Sequence, residues 1–185
     1  MLTLDESGRR VARHHWVETR MFALVGAWVA STPETEPKLL FDRHSLHHSW
    51  RAKQWYDRLP VLADVDRDEL VDSQGAPLLR AFDFVAALGS TLERMACAYR
   101  VLLPRLAVAY ERHRLLCGEV SDSSVRRTLT IVSRDLRADW LEGETVLQGL
   151  LDAELEAAHG QAGTAARAAE AATSLEAFLV GDAGL

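Results

Sequence analysis

The sequence predicts an all-α protein, a bundle of four long helices with a short fifth one near the end. Gly and Pro number only 11 and 5 in 185 residues, too few for the turns of a barrel or sandwich. Apolar residues recur at helical spacing through long stretches. A few strong breakers separate those stretches: Ser31-Thr32-Pro33, Leu59-Pro60, Cys117-Gly118, and Gly160 with Gly163.

The first helix is expected from Gly8 to Ala30, with Thr32 or Thr35 capping the next. Pro37 falls in the first turn of that second helix, where a missing N–H is harmless, and Arg58 is its expected end. An acidic linker, Leu59 to Pro77, follows. The third helix is expected from Leu78 to Leu116 with a kink at Pro104. Ser121 to Ser124 offer caps for the fourth, which runs to Ala158. The expected division is a helical bundle over 1–160 and an Ala-rich tail over 161–185, partly disordered or a short helix from Thr164 to Leu179.

Short turns make helices 1 and 2 an antiparallel hairpin, and helices 3 and 4 another. The linker between the pairs reaches roughly 60 Å when extended. A helix of about 25 residues is roughly 37 Å long. The linker can therefore cross the whole bundle and start helix 3 beside the start of helix 2.

Hydrophobic content of 48% and a charged fraction of 26% describe a folded, water-facing chain. Its net charge of −6 and the lack of a dense basic patch speak against nucleic acid. Arg9, Arg10, Arg13 and Arg20 read as a solvated helix face. The longest apolar run, Met21 to Ala30, is too short to span a bilayer. Cys97 and Cys117 fit no zinc or redox spacing, so the expectation is two buried thiols in a cytoplasmic protein.

One feature of the composition is uneven. Five of the seven histidines and four of the five tryptophans precede residue 56. Phasing at 100° per residue places them. In helix 1, Val11, Phe22, Val25 and Val29 define an apolar stripe with Glu18 at its centre and His14 and His15 beside it. A buried carboxylate is costly unless paired or ligated, so Glu18 is either a metal or catalytic group or half of a structural pair with an Arg or His.

In helix 2, Leu39, Leu46 and Trp50 mark the expected inner face, with Leu40 and His47 at its shoulder. His44 and His47, three residues apart, can face one site, whereas His48 is expected to point away toward Phe41 and Trp55. Neutral imidazole is a good metal ligand. The alternative is that the histidines, with Trp16, Trp28, Trp50 and Trp55, form a hydrogen-bonded aromatic core.

Helix 3 offers Leu88, Leu92, Met95, Tyr99, Leu102, Leu106 and Tyr110 inward, with Glu93 and Glu111 opposite. Helix 4 presents Val125, Leu129, Val132, Leu136, Gly143, Leu147 and Leu150. Asp139 lies at the edge of that stripe, flanked by Asp135 and Glu142. Depth along the bundle puts Glu18, His47 and Asp139 or Glu142 in one layer. A solvated acidic face paired with Arg134 and Arg137 is the alternative for helix 4.

With Glu18 in helix 1, His44-x-x-His47 in helix 2 and Asp135 to Glu144 in helix 4, the chain resembles the ferritin-like superfamily over roughly residues 8 to 158. The resemblance implies a four-helix bundle and, in many members, two bound metal ions, usually iron. The ligands there are Glu, Glu-x-x-His, Glu and Glu-x-x-His on successive helices. Helix 2 has no Glu-x-x-His; Asp42-x-x-Ser45 comes nearest there, and helix 3 has no inward carboxylate.

The expected function is therefore a degenerate ferritin-like bundle without the standard di-metal centre, acting as a structural or partner subunit or as a small-ligand pocket protein. Its pocket residues would be Glu18, His14, His47, Tyr99 and Asp139. The alternative is an iron-dependent or other divalent-metal oxidoreductase using Glu18, His44, His47, Asp139 and Glu142. A homodimer or a partner protein is expected, with Leu175, Phe178 and Leu179 of the tail as a contact.

Overall fold

The computed structural model describes residues 2–61, 66–157 and 163–181, and these are all-helical, with no strand among them. Helix α1 spans Leu4–Val29. It begins four residues earlier than Gly8 because Thr3 and Glu6 form a reciprocal capping box. Thr32 does not cap α2; its hydroxyl donates to the Trp28 carbonyl at 2.8 Å and closes α1 instead. Helix α2, Thr35–Tyr56, starts after Glu34 with no side-chain cap.

The linker is more ordered than an extended crossing. Asp66 accepts from the backbone N–H groups of Asp68 and Glu69 and so starts α3, Arg67–Gly75. A short 3₁₀ turn, Ala76–Leu78, leads into α4, Leu79–Ala86. Gly75 of α3 lies flat on the Trp16 ring, where a Cβ would come within 2.0 Å of the indole. The crossing segment thus helps cover α1.

The expected single helix from Leu78 to Leu116 is broken. After α4 the chain turns at residues 87–90, and the Arg94 guanidinium donates to the freed Leu88 carbonyl at 2.9 Å. Helix α5, Thr91–Ala96, then widens into a π-helical turn, Cys97–Leu102, before α6, Leu103–Leu116. The Leu103 N–H reaches back to the Ala98 carbonyl, five residues away. Pro104 explains the widening: its ring would clash with the carbonyl four residues back in a regular helix. Helix α7 runs over Ser123–Ala157.

Residue pairs fix the helix directions. Glu18 meets His48 and His15 meets Ala52, so α1 and α2 are antiparallel. His44 meets Tyr99 and Trp55 meets Tyr110, so α2 and the α5–α6 segment run parallel. Arg43 meets Glu142 and Arg58 meets Thr128, so α7 returns antiparallel to α2.

The inner faces expected of helices 3 and 4 are the buried ones, although Leu88 and Leu150 are only half-buried. Those of helices 1 and 2 need correction. Leu39, Leu46 and Trp50 are exposed, and α2 instead buries Leu40, Phe41, His44, Ser45, His48, Arg51, Ala52 and Trp55. Phe22 of α1 is also exposed. Both cysteines are buried and free.

The tail forms helix α8, Gly163–Gly181. Leu175 and Leu179 are fully buried within the chain's own core, and Phe178 packs on Phe84 at 5.3 Å between ring centroids. These side chains are therefore spent inside the molecule rather than offered to a partner. No helix among the described residues is long and apolar enough to cross a membrane.

Candidate functional site

The polar centre of the bundle is built around Arg51, a residue that sequence periodicity did not single out. Its guanidinium is fully buried. Nε donates to Glu18 Oε1 at 3.0 Å, and Nη1 donates to Asp135 Oδ2 at 2.5 Å and to Asp139 Oδ2 at 2.7 Å. One cation thus joins a carboxylate of α1 to two carboxylates of α7. The remaining ligation of Glu18 comes from His48 Nδ1, 2.5 Å from Oε2, and from the Tyr110 hydroxyl, which donates to Oε1. Trp55 Nε1 in turn donates to the Tyr110 oxygen at 2.9 Å.

The charge states follow from competition. Burial pushes the Glu18 carboxyl up, but Arg51 and His48 outweigh it and hold it below its ordinary value. Asp139 behaves alike, with burial opposed by Arg51 and His44, and ends below its ordinary value. For Arg51 burial works against the cation, yet Glu18 and Asp139 raise it further above its ordinary value. Burial keeps His48 neutral and the Tyr110 phenol protonated.

His48 does not point away, as its position on the expected face of α2 suggested. The true inner face is rotated, which turns His48 and Arg51, one helical turn apart, onto Glu18. The signal available was Arg51 itself, spaced i+3 from His48 and i+4 from His47.

A second cluster sits beside Arg51, between α2 and α7. His47 Nδ1 lies 2.8 Å from Asp139 Oδ1, and His44 Nε2 lies 3.5 Å from the same oxygen. His44 Nε2 is also 3.2 Å from Glu142 Oε2. The donor atoms of His44, His47 and Asp139 all fall within 4.8 Å of one another. His44 is buried, while the His47 side chain keeps 39% of its exposure, so the cluster reaches solvent through His47 and Glu142. Glu142 is itself paired with Arg43.

Behind His44, the Tyr99 hydroxyl lies 2.8 Å from Nδ1. Tyr99 comes from the π-helical turn, and its ring is seated on Gly143 of α7. A Cβ there would stand 2.1 Å from ring carbons, so the glycine serves close approach of Tyr99 and not free space for a ligand.

The predicted site residues therefore divide in two. His44, His47 and Asp139 come together, with Glu142 against His44 and Tyr99 in support. Glu18 is held on the far side of Arg51, outside that donor set. His14 belongs to neither. It packs edge-on against Tyr110 at 4.8 Å and lies 3.1 Å from His113 Nδ1, in an aromatic layer completed by Trp55. Burial drives His14 well below its ordinary value and His113 down to about 4, so both rings are neutral.

Away from the centre, a groove of about 380 Å³ opens between α1, α4 and α5, lined by Arg20, Leu24, Trp28, Phe82 and Arg94 among others. The Arg94 guanidinium stands 5.8 Å over the Trp28 ring.

Comparison with protein-family models, with curated proteins and with solved structures returned no significant match.

Proposed function

We propose that this chain is a ferritin-like bundle in which an arginine stands at the interhelical centre that a pair of metal ions holds in metal-loaded members, and that it works by binding rather than by di-metal redox chemistry. The observation that carries this reading is the fully buried Arg51 guanidinium, bonded to Glu18, Asp135 and Asp139. A cation fixed to the carboxylates that would bridge two metals leaves them no place. The parallel course of α2 and α5–α6, which a crossover between two hairpins produces, supports the superfamily assignment.

The protein then acts as a structural or partner subunit, or takes a small molecule. The groove beside Trp28 fits the second role, with an aromatic wall and the cationic side chains of Arg20 and Arg94 at hand. A homodimer or a complex with another protein is the assembly expected.

Metal analysis of tag-free protein tests the proposal. Fewer than two iron, manganese or zinc ions per chain are expected, none of them lost in Glu18→Gln, whose effect should fall on stability. Two ions per chain that disappear in Glu18→Gln would overturn it. A second reading, a metal-dependent oxidoreductase on the non-standard Glu/His/Asp set, draws on the convergence of His44, His47 and Asp139.

A further inference from the structure

We infer that His44, His47 and Asp139 form a site for one divalent transition-metal ion, with Glu142 as a fourth ligand and the solvent side open. The inference goes beyond the role proposed for the Arg51 centre and does not depend on it, since Glu18 takes no part.

The donor chemistry is the first support. Two imidazole nitrogens and one carboxylate oxygen, with a second carboxylate adjacent, suit zinc or iron(II) rather than calcium or magnesium. Geometry is the second. Ligand atoms about 2.1 Å from a tetrahedral ion lie about 3.4 Å from one another. Here Asp139 Oδ1 is 2.8 Å from His47 Nδ1 and 3.5 Å from His44 Nε2, which is 3.2 Å from Glu142 Oε2. These separations bracket the tetrahedral value.

Support from behind the ligands is the third. Tyr99 faces His44 Nδ1, which leaves Nε2 turned to the cluster, and Arg51 occupies Asp139 Oδ2, which leaves Oδ1 turned to it. His44 and Asp139 are thus each held by their other atom, as metal-site ligands usually are. Charge is the fourth. Glu18, Asp135 and Asp139 share the one guanidinium of Arg51, so carboxylate charge is in excess beside the two imidazoles. An added cation offsets that excess. His47 and Glu142 sit at the mouth, where they leave coordination positions facing water.

The test is a Co²⁺ titration of chelator-stripped, tag-free protein, read by visible d–d absorption and by calorimetry, followed by Zn²⁺ competition. One ion per chain is expected, displaced by Zn²⁺. His47→Ala, at a partly exposed position, should weaken binding by about 100-fold or more while its circular dichroism melt stays near that of the parent. Tyr99→Phe should weaken it about 10-fold and shift the d–d bands, as loss of a positioning contact does. His15→Ala, a half-buried histidine on α1, should leave binding unchanged. No binding tighter than millimolar would overturn the inference, as would equal affinity in His47→Ala. Neither result touches the role proposed for Arg51, whereas two ions that survive His47→Ala and vanish in Glu18→Gln would overturn both.

Discussion

Two neighbouring clusters share Asp139 and differ in almost everything else. Around Arg51, Glu18 has its oxygens taken by Arg51, Tyr110 and His48, and water is excluded. Around His44 and His47, the donors crowd one oxygen of Asp139 and open to solvent. Similar residue types build both. What separates them is whether a side chain with fixed charge fills the centre. A guanidinium supplies its own cation and needs nothing further, while two imidazoles facing a carboxylate can gain one.

The sharpest way to break the comparison is to remove the built-in cation. Arg51→Met leaves Glu18 and Asp139 buried without their shared partner. We expect a loss of about 3–5 kcal/mol in urea unfolding. Combining it with Glu18→Gln should recover part of that loss, because the second change removes the uncompensated charge. If Arg51→Met is neutral, the centre is not an ion-pair core.

Acid acts on a different layer. His14 and His113 are neutral and buried in the native protein, with His113 lowered from 6.5 to about 4. Between those values the unfolded chain binds protons that the native one does not, so stability falls as pH falls. His113 alone accounts for about 3 kcal/mol across that window, and below it contributes no further change. Glu18 and Asp139, held below their ordinary values of 4.5 and 3.8, add their loss as pH falls through and below those values. Unfolding measured from pH 7 to 4 should show the decline, and His113→Gln should flatten it. A flat profile in the parent protein would remove the neutral-histidine layer.

The packing that supports Tyr99 comes next in size. Gly143→Ala drives a Cβ into the Tyr99 ring, which must shift. A cost of about 1–3 kcal/mol is expected from overpacking. The change should also loosen Tyr99 from His44, so tyrosine fluorescence or Co²⁺ spectra would register it alongside the melt.

These layers also mark how much was readable beforehand. The burial of Glu18 was readable because a carboxylate amid the apolar residues of α1 stands out, although Phe22 of that stripe is exposed and Glu18 lies apart from His47. Asp139 and the buried face of α7 were readable for the same reason. Helix α2 misled, because Leu39, Leu46 and Trp50 make a plausible apolar stripe that in fact faces solvent. Its inner face carries Arg51 and three buried polar side chains, His44, Ser45 and His48, and a face like that has no hydrophobic signature to phase. The partnership is visible only when α1, α2 and α7 are brought together. The break at 87–90 was missed because Gly89 alone is a weak breaker, and its carbonyl partner, Arg94, lies beyond it. The Thr3–Glu6 capping box stands in the sequence as Thr-x-x-Glu, and the expected start at Gly8 overlooked it.

The smallest expected effect lies at the rim, and it separates the clusters most cleanly. Arg43 and Glu142 are both about half exposed, so their ion pair is screened by water and salt. Arg43→Ala should change unfolding free energy by less than about 1 kcal/mol. Yet it frees the Glu142 carboxylate, whose other oxygen already sits beside His44. Co²⁺ affinity should therefore rise, or hold, while stability barely moves. A fall in affinity would mean that Arg43 is needed to hold Glu142 in position, and Glu142 would then be an arm of the rim rather than a ligand of the site. The Arg51 centre permits no such separation, because there the group that sets stability and the group that occupies the site are the same guanidinium.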